Sequence, residues 1–469
     1  MPNAPARIAD RATFLGQNVE QARLTLPLKL LVTSIFLPDE VSFRVLGILL
    51  TPARLALLVL APVAAGRLVS LWSTRHYRFV LSDILFPLTG LWMFWALSQT
   101  EDAHDAVPHA GISALEFSVA YLVTRSLLCD GRQVMGFINF LCIAIGVTGL
   151  LGLFDTFTNH YFMHELAIRI SGGFPPETAG YRLGLLRAAS TAEHPILFGT
   201  TCCFGLLLAV LVPIKARKFA IFSCTLGLLI ALSAAPIQSF IIGIALFAYG
   251  KILAGAPFRW AALIGIAMVV CLFIVLVIKD PLNYIFFHLV FDAQSAFYRI
   301  YIWQVSTEAV RDSPWYGYGF VFPPQYDIPR TVDSVWLLKS LNFGVPGAVL
   351  IGASIVGAAW LPTNGRNVRL SMSESKLGTT LGILIFLTLF IGFTVDLFGN
   401  MSIMIPLLAG ARARLGELGR SPGASTPSIS SSPKRPLSQA GFESGLRARR
   451  SGARLALRSQ RNFADGASR

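Results

Sequence analysis

Charged residues are scarce in this chain of 469 residues. Asp, Glu, Lys and Arg together make up 14% of it, whereas 54% is hydrophobic, and soluble domains carry about a quarter charged residues. The mean hydropathy is +0.62, and the apolar residues gather in blocks of roughly twenty instead of following the short periods of half-buried elements. This scarcity excludes an ordinary soluble enzyme and predicts an all-α, polytopic integral membrane protein.

Motifs for common cofactor and metal chemistry are also missing. The 6 cysteines form no CxxC pair and have no metal-ligand spacing, so they are expected to be small buried hydrophobes. The chain has neither an Asp-x-Asp pair of the kind that holds a divalent ion in nucleotide-sugar enzymes nor a glycine-rich phosphate loop followed by lysine. These absences predict that the protein works without a cofactor and without a bound metal.

The N-terminus lacks a convincing cleavable signal. Residues 1–23 are polar, and the apolar stretch after them contains Pro27 and Lys29 and has no small-residue cleavage site. We therefore expect 1–23 to remain as a cytoplasmic segment ahead of a transmembrane domain over 24–416. Because roughly 20 apolar residues cross a hydrocarbon core of ~30 Å, the sequence predicts about 12 transmembrane helices. They are expected near 24–38, 45–66, 79–98, 107–127, 134–156, 192–213, 219–234, 237–254, 258–278, 335–361, 377–395 and 400–411.

The distribution of charge between these segments predicts an orientation. Short cytoplasmic loops collect Lys and Arg, as the loop with Lys215 and Arg217 does, whereas the loop with Glu101 carries only acidic charge. The alternation places both termini in the cytoplasm. It also places the two long loops, 157–191 and 279–334, together on the outer side, where loops of such length are usually functional.

The C-terminal part of the chain is basic and polar. Residues 417–469 lack the apolar periodicity needed to build a core, which predicts a disordered cytoplasmic tail. Its positive charge is compatible with contacts to anionic lipid and equally with a solvated tail. Since basic residues flanking apolar segments are what orientation in a bilayer requires, the net charge of +14 does not indicate nucleic acid as a partner.

The richest outer segment is FYRIYIWQVSTEAVRDSPWYGYGF at 297–320. It begins as a helix-like run, is stopped at 312–314, and continues into a glycine-rich turn. Its aromatic residues are compatible with an interfacial belt. Arg299 lies close to the membrane, where a guanidinium needs an anionic partner, and either Asp292 or a lipid phosphate would serve.

Three pieces of this region carry a family resemblance. Arg299 with the run SPWYGYG at 313–319 resembles the signature of the O-antigen ligase and polymerase superfamily of bacterial membrane glycosyltransferases. RAASTAEHPILFGTTCCFGLLLA at 187–209 is similar to the family's span after its smaller outer loop. VDSVWLLKSLNFGVPGAVL at 332–350 is similar to the segment after its larger loop. By motif, the resemblance extends over 187–361.

The resemblance implies a C-type glycosyltransferase arrangement in the bacterial inner membrane, with a catalytic chamber at the periplasmic face. Its implied substrates are a polyprenyl-diphosphate-linked glycan donor and acceptor. Membrane lipid, a chain-length regulator and a flippase are its implied further partners. A sugar on a lipid diphosphate leaves an anion behind, and arginine supplies both charge and orientation to such a group. Arg187 and Arg299 are the residues expected to do this.

The acceptor hydroxyl must also lose a proton to a positioned base. Ligases of the family carry histidine before the helix that follows the large loop, whereas this chain has Asp333 there. Asp333 is either that base or the N-cap of the helix near Val335. His194 is the second candidate base, although its neighbour Pro195 suits a helix entry that His194 would only shape.

Other ionisable residues have competing interpretations. His160 and His164, four apart beside Glu165, would present one helical face to a metal or would be ordinary interfacial residues. Glu116 and Arg125 lie within predicted spans, where they either form structural pairs with other helices or belong to a proton path.

The pattern favours an inverting polymerase of lipid-linked repeat units for O-antigen or exopolysaccharide. Asp333 in place of histidine counts against transfer to another acceptor by a ligase, which remains the first alternative. A transporter is an alternative of another class, and it predicts internal repeat symmetry that the sequence does not show. An assembly subunit of an export complex would leave the outer arginines without a catalytic requirement.

Overall fold

A computed structural model describes the chain over 24–45, 48–73, 78–171, 180–256, 258–278, 284, 293–329, 331–364 and 368–420. The described part is mostly helical, as predicted. Its α-helices are α1 (Leu26–Ile35), α2 (Pro52–Ser73), α3 (Leu81–Thr100), α4 (Ala103–Ala114), α5 (Ala120–Leu127), α6 (Gly131–Thr158), α7 (Phe162–Ser171), α8 (Pro195–Leu211), α9 (Arg217–Ile230), α10 (Ala234–Ile252), α11 (Arg259–Val277), α12 (Ala293–Asp312), α13 (Val335–Gly357), α14 (Met372–Ile391) and α15 (Asn400–Arg420).

Smaller elements complete the described fold. A π-helical turn, Leu115–Val119, joins α4 to α5, and a 3-10 turn covers Pro324–Tyr326. Two antiparallel hairpins depart from the predicted all-α class, because each is a local turn that two very short strands close. Their strands are β1 (Phe43–Val45) with β2 (Ile48–Leu50), and β3 (Tyr181–Arg182) with β4 (Leu185–Leu186).

Seven helices of the described chain are long and apolar enough to cross a membrane. They are α2, α3, the continuous run from α4 through α5, α6, α10, α13 and α14. Each of the twelve predicted spans contains helix, but α1, α8 and α9 are shorter than a full crossing. The chain is therefore a polytopic membrane protein, and the count of twelve remains a prediction.

Local sequence explains where several of these helices begin and end. Ser371 and Glu374 form a capping box at the start of α14, each side chain accepting from the other's backbone N–H at 3.3 and 2.8 Å. Asp130 caps α6 by accepting from Gln133 N at 2.7 Å. Helix α12 ends at Asp312, directly before Ser313-Pro314, as predicted, because the residue before a proline disfavours helix.

Small residues let the central helices approach closely. A Cβ added at Gly149 of α6 would lie 2.6 Å from Ser223 O of α9. One added at Gly227 of α9 would lie 2.5 Å from Cys202 Sγ of α8. Such close backbone approach is the usual way membrane helices associate, and it forms the rigid frame behind the smaller outer loop.

Both long loops contain regular structure and meet at one end of the helices. The loop predicted over 157–191 contains α7 and the second hairpin, and the loop over 279–334 contains α12. Glu101, after α3, lies at this end too, because its Oε1 accepts from Phe320 N at 2.7 Å. We call this the loop end.

The predicted termini lie mostly beyond what the structure describes. The N-terminal segment 1–23 lies outside the described residues, and so does 421–469. Helix α15 continues through Arg420, so residues 417–420, which were predicted to begin the tail, complete this helix.

Candidate active site

The glycine-rich run 313–319 docks directly on the backbone of α13. Helix α13 is broken at Gly344, where φ is 72°, and Val345 N donates to Pro314 O at 2.8 Å. A Cβ at Gly344 would clash with Trp315 O, and one at Gly317 would clash with Leu341 O. Glycine is required at both positions because two backbones touch there. This backbone contact fixes the C-terminal end of α12 against α13.

Asp155 organises the smaller loop. Its fully buried carboxylate accepts hydrogen bonds from Phe162 N at 3.1 Å, Ala189 N at 3.0 Å and Ser190 N at 2.7 Å. Ser190 has a φ of 58°, which is an uncommon conformation that needs such support. The turn that follows Arg187 is therefore held rigidly on α6.

Three arginines converge between the two loops. Arg187 and Arg299 are only 6% and 8% exposed. Burial, together with the nearby charges of Arg182 and Arg299, lowers the pKa of Arg187 to about 10. Burial likewise lowers the pKa of Arg299, to which Asp333 and Arg182 are charged neighbours. We call Arg182, Arg187 and Arg299 the outer arginine cluster.

The outer arginine cluster is suited to an anion. Like charges that are close together and withdrawn from water destabilise one another, and a polyanion would remove that cost. The Nε of Arg299 is buried and has no hydrogen-bond partner within the described ranges. The structure thus brings together the two arginines predicted from sequence, Arg187 and Arg299.

Sequence reasoning missed Arg182. It lies on β3, and its Nη1 donates to Leu232 O at 2.9 Å, at the turn before α10. Leu183 and Gly184 both have positive φ values, 54° and 78°, and form the hairpin turn that brings Arg182 back toward Arg187. The Gly184 after Arg182 was the available signal for this turn.

His194 lies beside the cluster but is used as a helix cap. Its Nδ1 accepts from Ile196 N at 3.1 Å, and Pro195 occupies the first position of α8. Burial and the charges of Arg187 and Arg182 lower its pKa to about 4. The ring is therefore neutral near pH 7, and its unprotonated nitrogen is already occupied. This geometry favours the helix-entry interpretation over the base.

Asp333 is not the cap of α13. Ser334 occupies that position, where its Oγ accepts from Leu337 N at 3.5 Å and donates to Gly392 O at 3.1 Å. Serine is as good an N-cap as aspartate, so the capping alternative for Asp333 was wrong. Burial raises the pKa of Asp333, and the neighbouring Arg299 opposes that rise.

A cavity of about 90 Å³ opens next to the first turns of α13. Trp336, Lys339 and Phe343 of α13 line it, together with Glu116 of the π-helical turn. Lys339 is the basic residue of this lining, and its Nζ lies 6.0 Å from the centroid of the Phe343 ring. The cavity therefore has two charged groups, Lys339 and Glu116, in a mostly apolar wall.

A group of carboxylates at the loop end was also missed. Burial, a hydrogen bond with Asp39 and neighbouring negative charges raise the pKa of Glu193. Arg54 Nε donates to Glu116 Oε1 at 2.7 Å, and no direct pair joins Glu116 to Arg125. Glu116 and Arg125 are therefore paired with other helices, as the structural interpretation expected.

His164 of α7 and His160, which precedes this helix, each lie against a carboxylate. His164 Nδ1 lies 2.7 Å from Glu40 Oε1, and its Nε2 lies 3.1 Å from Ala192 O. His160 is exposed and pairs with Glu165 at 3.2 Å. Within the described ranges, no group of three or more His, Cys, Asp or Glu is placed to hold a metal ion.

Comparison with known families supports the resemblance independently. The family model described as O-Antigen ligase matches residues 219–352, which include Arg299 and Asp333 but neither Arg187 nor His194. No curated protein matches the chain. The match supports ligase-type glycosyl transfer and lipid-linked glycan substrates in general, and it does not favour a transporter. Residues 219–352 are thus similar to the O-antigen ligase family, within a chain that is a multi-pass membrane protein.

Proposed function

We propose that the protein polymerises polyprenyl-diphosphate-linked oligosaccharide repeat units by inverting glycosyl transfer at the periplasmic face of the inner membrane. The single observation that carries this proposal is the outer arginine cluster. Two buried guanidinium groups beside a third, with the Nε of Arg299 unpartnered among the described residues, suit a diphosphate better than a neutral ligand.

In the proposed reaction, a hydroxyl oxygen of the acceptor glycan attacks the anomeric carbon of the donor. The bond between that carbon and the diphosphate oxygen breaks, and its electron pair leaves on the diphosphate. Arg182, Arg187 and Arg299 hold the charge that develops there. The acceptor proton passes to Asp333, which lies beside Arg299. His194 positions the start of α8, and the chemistry calls on no metal and no cofactor.

The choice of polymerase over ligase depends on Asp333. A histidine in this position would resemble the ligases of the family, and the carboxylate here favours a polymerase-like member. Support for the periplasmic face comes from charge, because the loop end carries both long loops whereas the opposite connections carry Lys215 and Arg217. Transfer to a different acceptor by a ligase remains the second candidate function, favoured by the family match over 219–352.

The decisive experiment examines the lipid-linked glycans of a deletion strain. A polymerase predicts that single lipid-linked repeats accumulate, and a ligase predicts that long lipid-linked chains accumulate. Normal polymer of normal length would contradict both. Complementation with wild type and with Arg187→Lys, at equal membrane levels, would link the defect to the outer arginine cluster.

The proposed orientation has its own test. Single cysteines at Gln325 and at Ser371, in a background without cysteine, should react differently with an impermeant reagent added to intact spheroplasts. Gln325 lies in an exposed part of the larger outer loop. Ser371 caps the N-terminal end of α14, whose C-terminal end leads to Gly392 beside the start of α13. Labelling at Ser371 alone would reverse the topology.

A further inference from the structure

The start of α12 presents two tyrosine rings at the surface of the fold. Tyr298 is 42% exposed and Tyr301 is 39% exposed, although Arg299 between them is buried. Gln304 and Glu308 are exposed as well. They follow Tyr301 at helical spacing, which puts them on the same face of α12. We call Tyr298, Tyr301, Gln304 and Glu308 the α12 strip.

Hydrogen bonds fix both tyrosine rings at their outer ends. The Tyr301 hydroxyl donates to Asp327 Oδ2 at 2.9 Å, and the Tyr298 hydroxyl lies 3.3 Å from Thr331 Oγ1. Asp327 has a φ of 48° and ends the 3-10 turn, where its N–H donates to Pro324 O at 3.2 Å. The rings are therefore held in place while part of each ring surface stays exposed. A ligand that stacks on them would not have to order them first.

The chain that carries Asp327 is also fastened to the far end of α12. The Tyr326 hydroxyl donates to Asp312 Oδ2, and the Tyr318 hydroxyl donates to Ala309 O at 2.9 Å. The ring centroids of Tyr318 and Tyr326 lie 6.0 Å apart. Because these contacts hold the loop against both ends of α12, the α12 strip is a rigid surface.

The polar half of the α12 strip indicates which medium it faces. A carboxylate in hydrocarbon is costly, and Glu308 shares the exposed face of α12 with Gln304 and Tyr301. An interfacial aromatic belt accounts for the tyrosines but gives no reason for polar side chains in line with them. We therefore expect the α12 strip to lie in water at the loop end.

The α12 strip begins at the proposed reaction centre. Tyr298 directly precedes Arg299 in the helix, and Thr331, which contacts the Tyr298 hydroxyl, lies two residues before Asp333. From Tyr298 to Glu308 the helix rises about 15 Å. A glycan joined to a diphosphate at Arg299 would therefore leave the reaction centre along this strip.

We propose that the α12 strip binds the sugar residues next to the diphosphate of the lipid-linked donor. This inference rests on the proposed function and names the surface that takes the glycan. One face of a sugar ring presents C–H groups, which the negative face of an aromatic ring attracts. The two tyrosine rings suit such faces. Gln304 and the carboxylates of Glu308 and Asp327 suit the sugar hydroxyls, since they offer acceptors and Gln304 also offers donors.

The first test measures binding of a probe that lacks phosphate. The probe is the oligosaccharide that mild acid releases from the strain's own lipid-linked glycans, and saturation-transfer NMR gives its Kd for the purified protein in detergent. Tyr301→Leu should raise Kd by roughly 3- to 10-fold, because one stacking contact is lost. Tyr301→Phe keeps the ring and should bind more tightly than Tyr301→Leu. Trp72→Leu removes an exposed aromatic ring from the end of α2 and is the matched control, with an unchanged Kd.

The second test asks whether water or lipid covers the α12 strip. A single cysteine at Gln304, in a background without cysteine, is treated with a water-soluble maleimide in membranes opened by freezing and thawing. It should react, and the same oligosaccharide should slow the reaction severalfold. A cysteine at Ser371, which caps the N-terminal end of α14, should react at one rate with and without the oligosaccharide.

Weaker binding by Tyr301→Leu, together with protection at Gln304, establishes the glycan site. An unchanged Kd in Tyr301→Leu, or equal losses in both Tyr301 variants, overturns it, because the ring would then contribute nothing. A cysteine at Gln304 that reacts only after detergent is added also overturns it, since lipid would then cover the strip.

Both tests are independent of transfer, because the probe carries no diphosphate. Binding and protection in a protein that fails to polymerise would overturn the proposed function alone, whereas polymerisation without either would overturn the glycan site alone. If Tyr301→Leu fails to fold, protection of the cysteine at Gln304 decides the matter.

Discussion

Arg125 and Arg299 are both buried arginines in this helical protein, yet their surroundings are opposite. Arg125 is fully buried, and Asp83 accepts from its Nε at 2.8 Å and from its Nη2 at 3.0 Å. Its Nη1 donates to Glu417 Oε2 at 2.6 Å, and its Nη2 donates to Arg78 O at 3.0 Å. Arg299 instead has a buried Nε that meets no acceptor in the described part of the chain, and a second arginine is its charged neighbour.

The difference separates a structural from a ligand-binding arginine. A buried cation whose nitrogens all meet acceptors is part of the fold. Removing it leaves its partner carboxylates buried without an opposite charge. A buried cation with an unused donor, close to like charges, is destabilised until an anion arrives. The composition of α5 and α12 does not distinguish Arg125 from Arg299, because the two arginines differ only in their hydrogen-bond partners.

The largest effect is expected from Arg125→Ala. Asp83 would remain buried without its cation and Glu417 would keep only the ion pair with Arg414, so the free energy of unfolding should fall by about 3–5 kcal/mol. The measurement is thermal unfolding of the purified protein in detergent, together with its level in the membrane. Arg299→Ala is the control and should unfold near the wild-type temperature. Equal stability of the two variants would contradict the assignment of Arg125 as structural and Arg299 as ligand-binding.

The next effect concerns the base. Asp333→Asn preserves the shape of the side chain but removes its basicity, so polymer formation should fall by about 100-fold or more with folding retained. Ser334 already caps α13, so any loss cannot be assigned to capping. Polymerisation by purified enzyme on lipid-linked repeats measures the rate. An active Asn variant would exclude Asp333 as the base and leave the arginine cluster as the remaining assigned chemistry.

Arg299→Lys sharpens the comparison within the arginine cluster. Lysine keeps the charge but loses the planar two-point grip on a diphosphate. The loss of one such contact raises the barrier by roughly 3 kcal/mol, on the order of a hundredfold in rate. The lysine variant should therefore be nearly as inactive as Arg299→Ala at the same membrane level. Full activity of the lysine variant would make Arg299 a simple charge or a lipid anchor.

The smallest effect is a pH dependence of stability from His194. Its folded pKa of about 4 lies below its ordinary value of 6.5, so the unfolded state binds more protons between these values. The free energy of unfolding should therefore fall as pH drops from 6.5 toward 4, by on the order of 2 kcal/mol. His194→Gln should flatten this dependence while leaving polymerisation at neutral pH largely intact. A steep dependence in the Gln variant would assign the effect to other groups.

Several features were predictable because they depend on neighbours in sequence. The stop of α12 at Asp312 follows from Ser313-Pro314, and Gly317 with Gly344 belongs to motifs whose resemblance to the family is confirmed over 219–352. The capping choice at α13 was not predictable, since Asp333 and Ser334 are both good caps and only the geometry chose between them.

Sequence alone determined the membrane class, the helical segments and the likeness to the O-antigen ligase family over 219–352, because apolar run length and short motifs are local properties. Tertiary structure decided which ionisable groups meet. Arg182 joins Arg187 through a hairpin turn, Asp155 holds the intervening loop, and Ser334 fastens the start of α13 to Gly392. These contacts link residues far apart in the chain, and the physical reason is that burial and charge depend on distance in space, which local sequence does not encode.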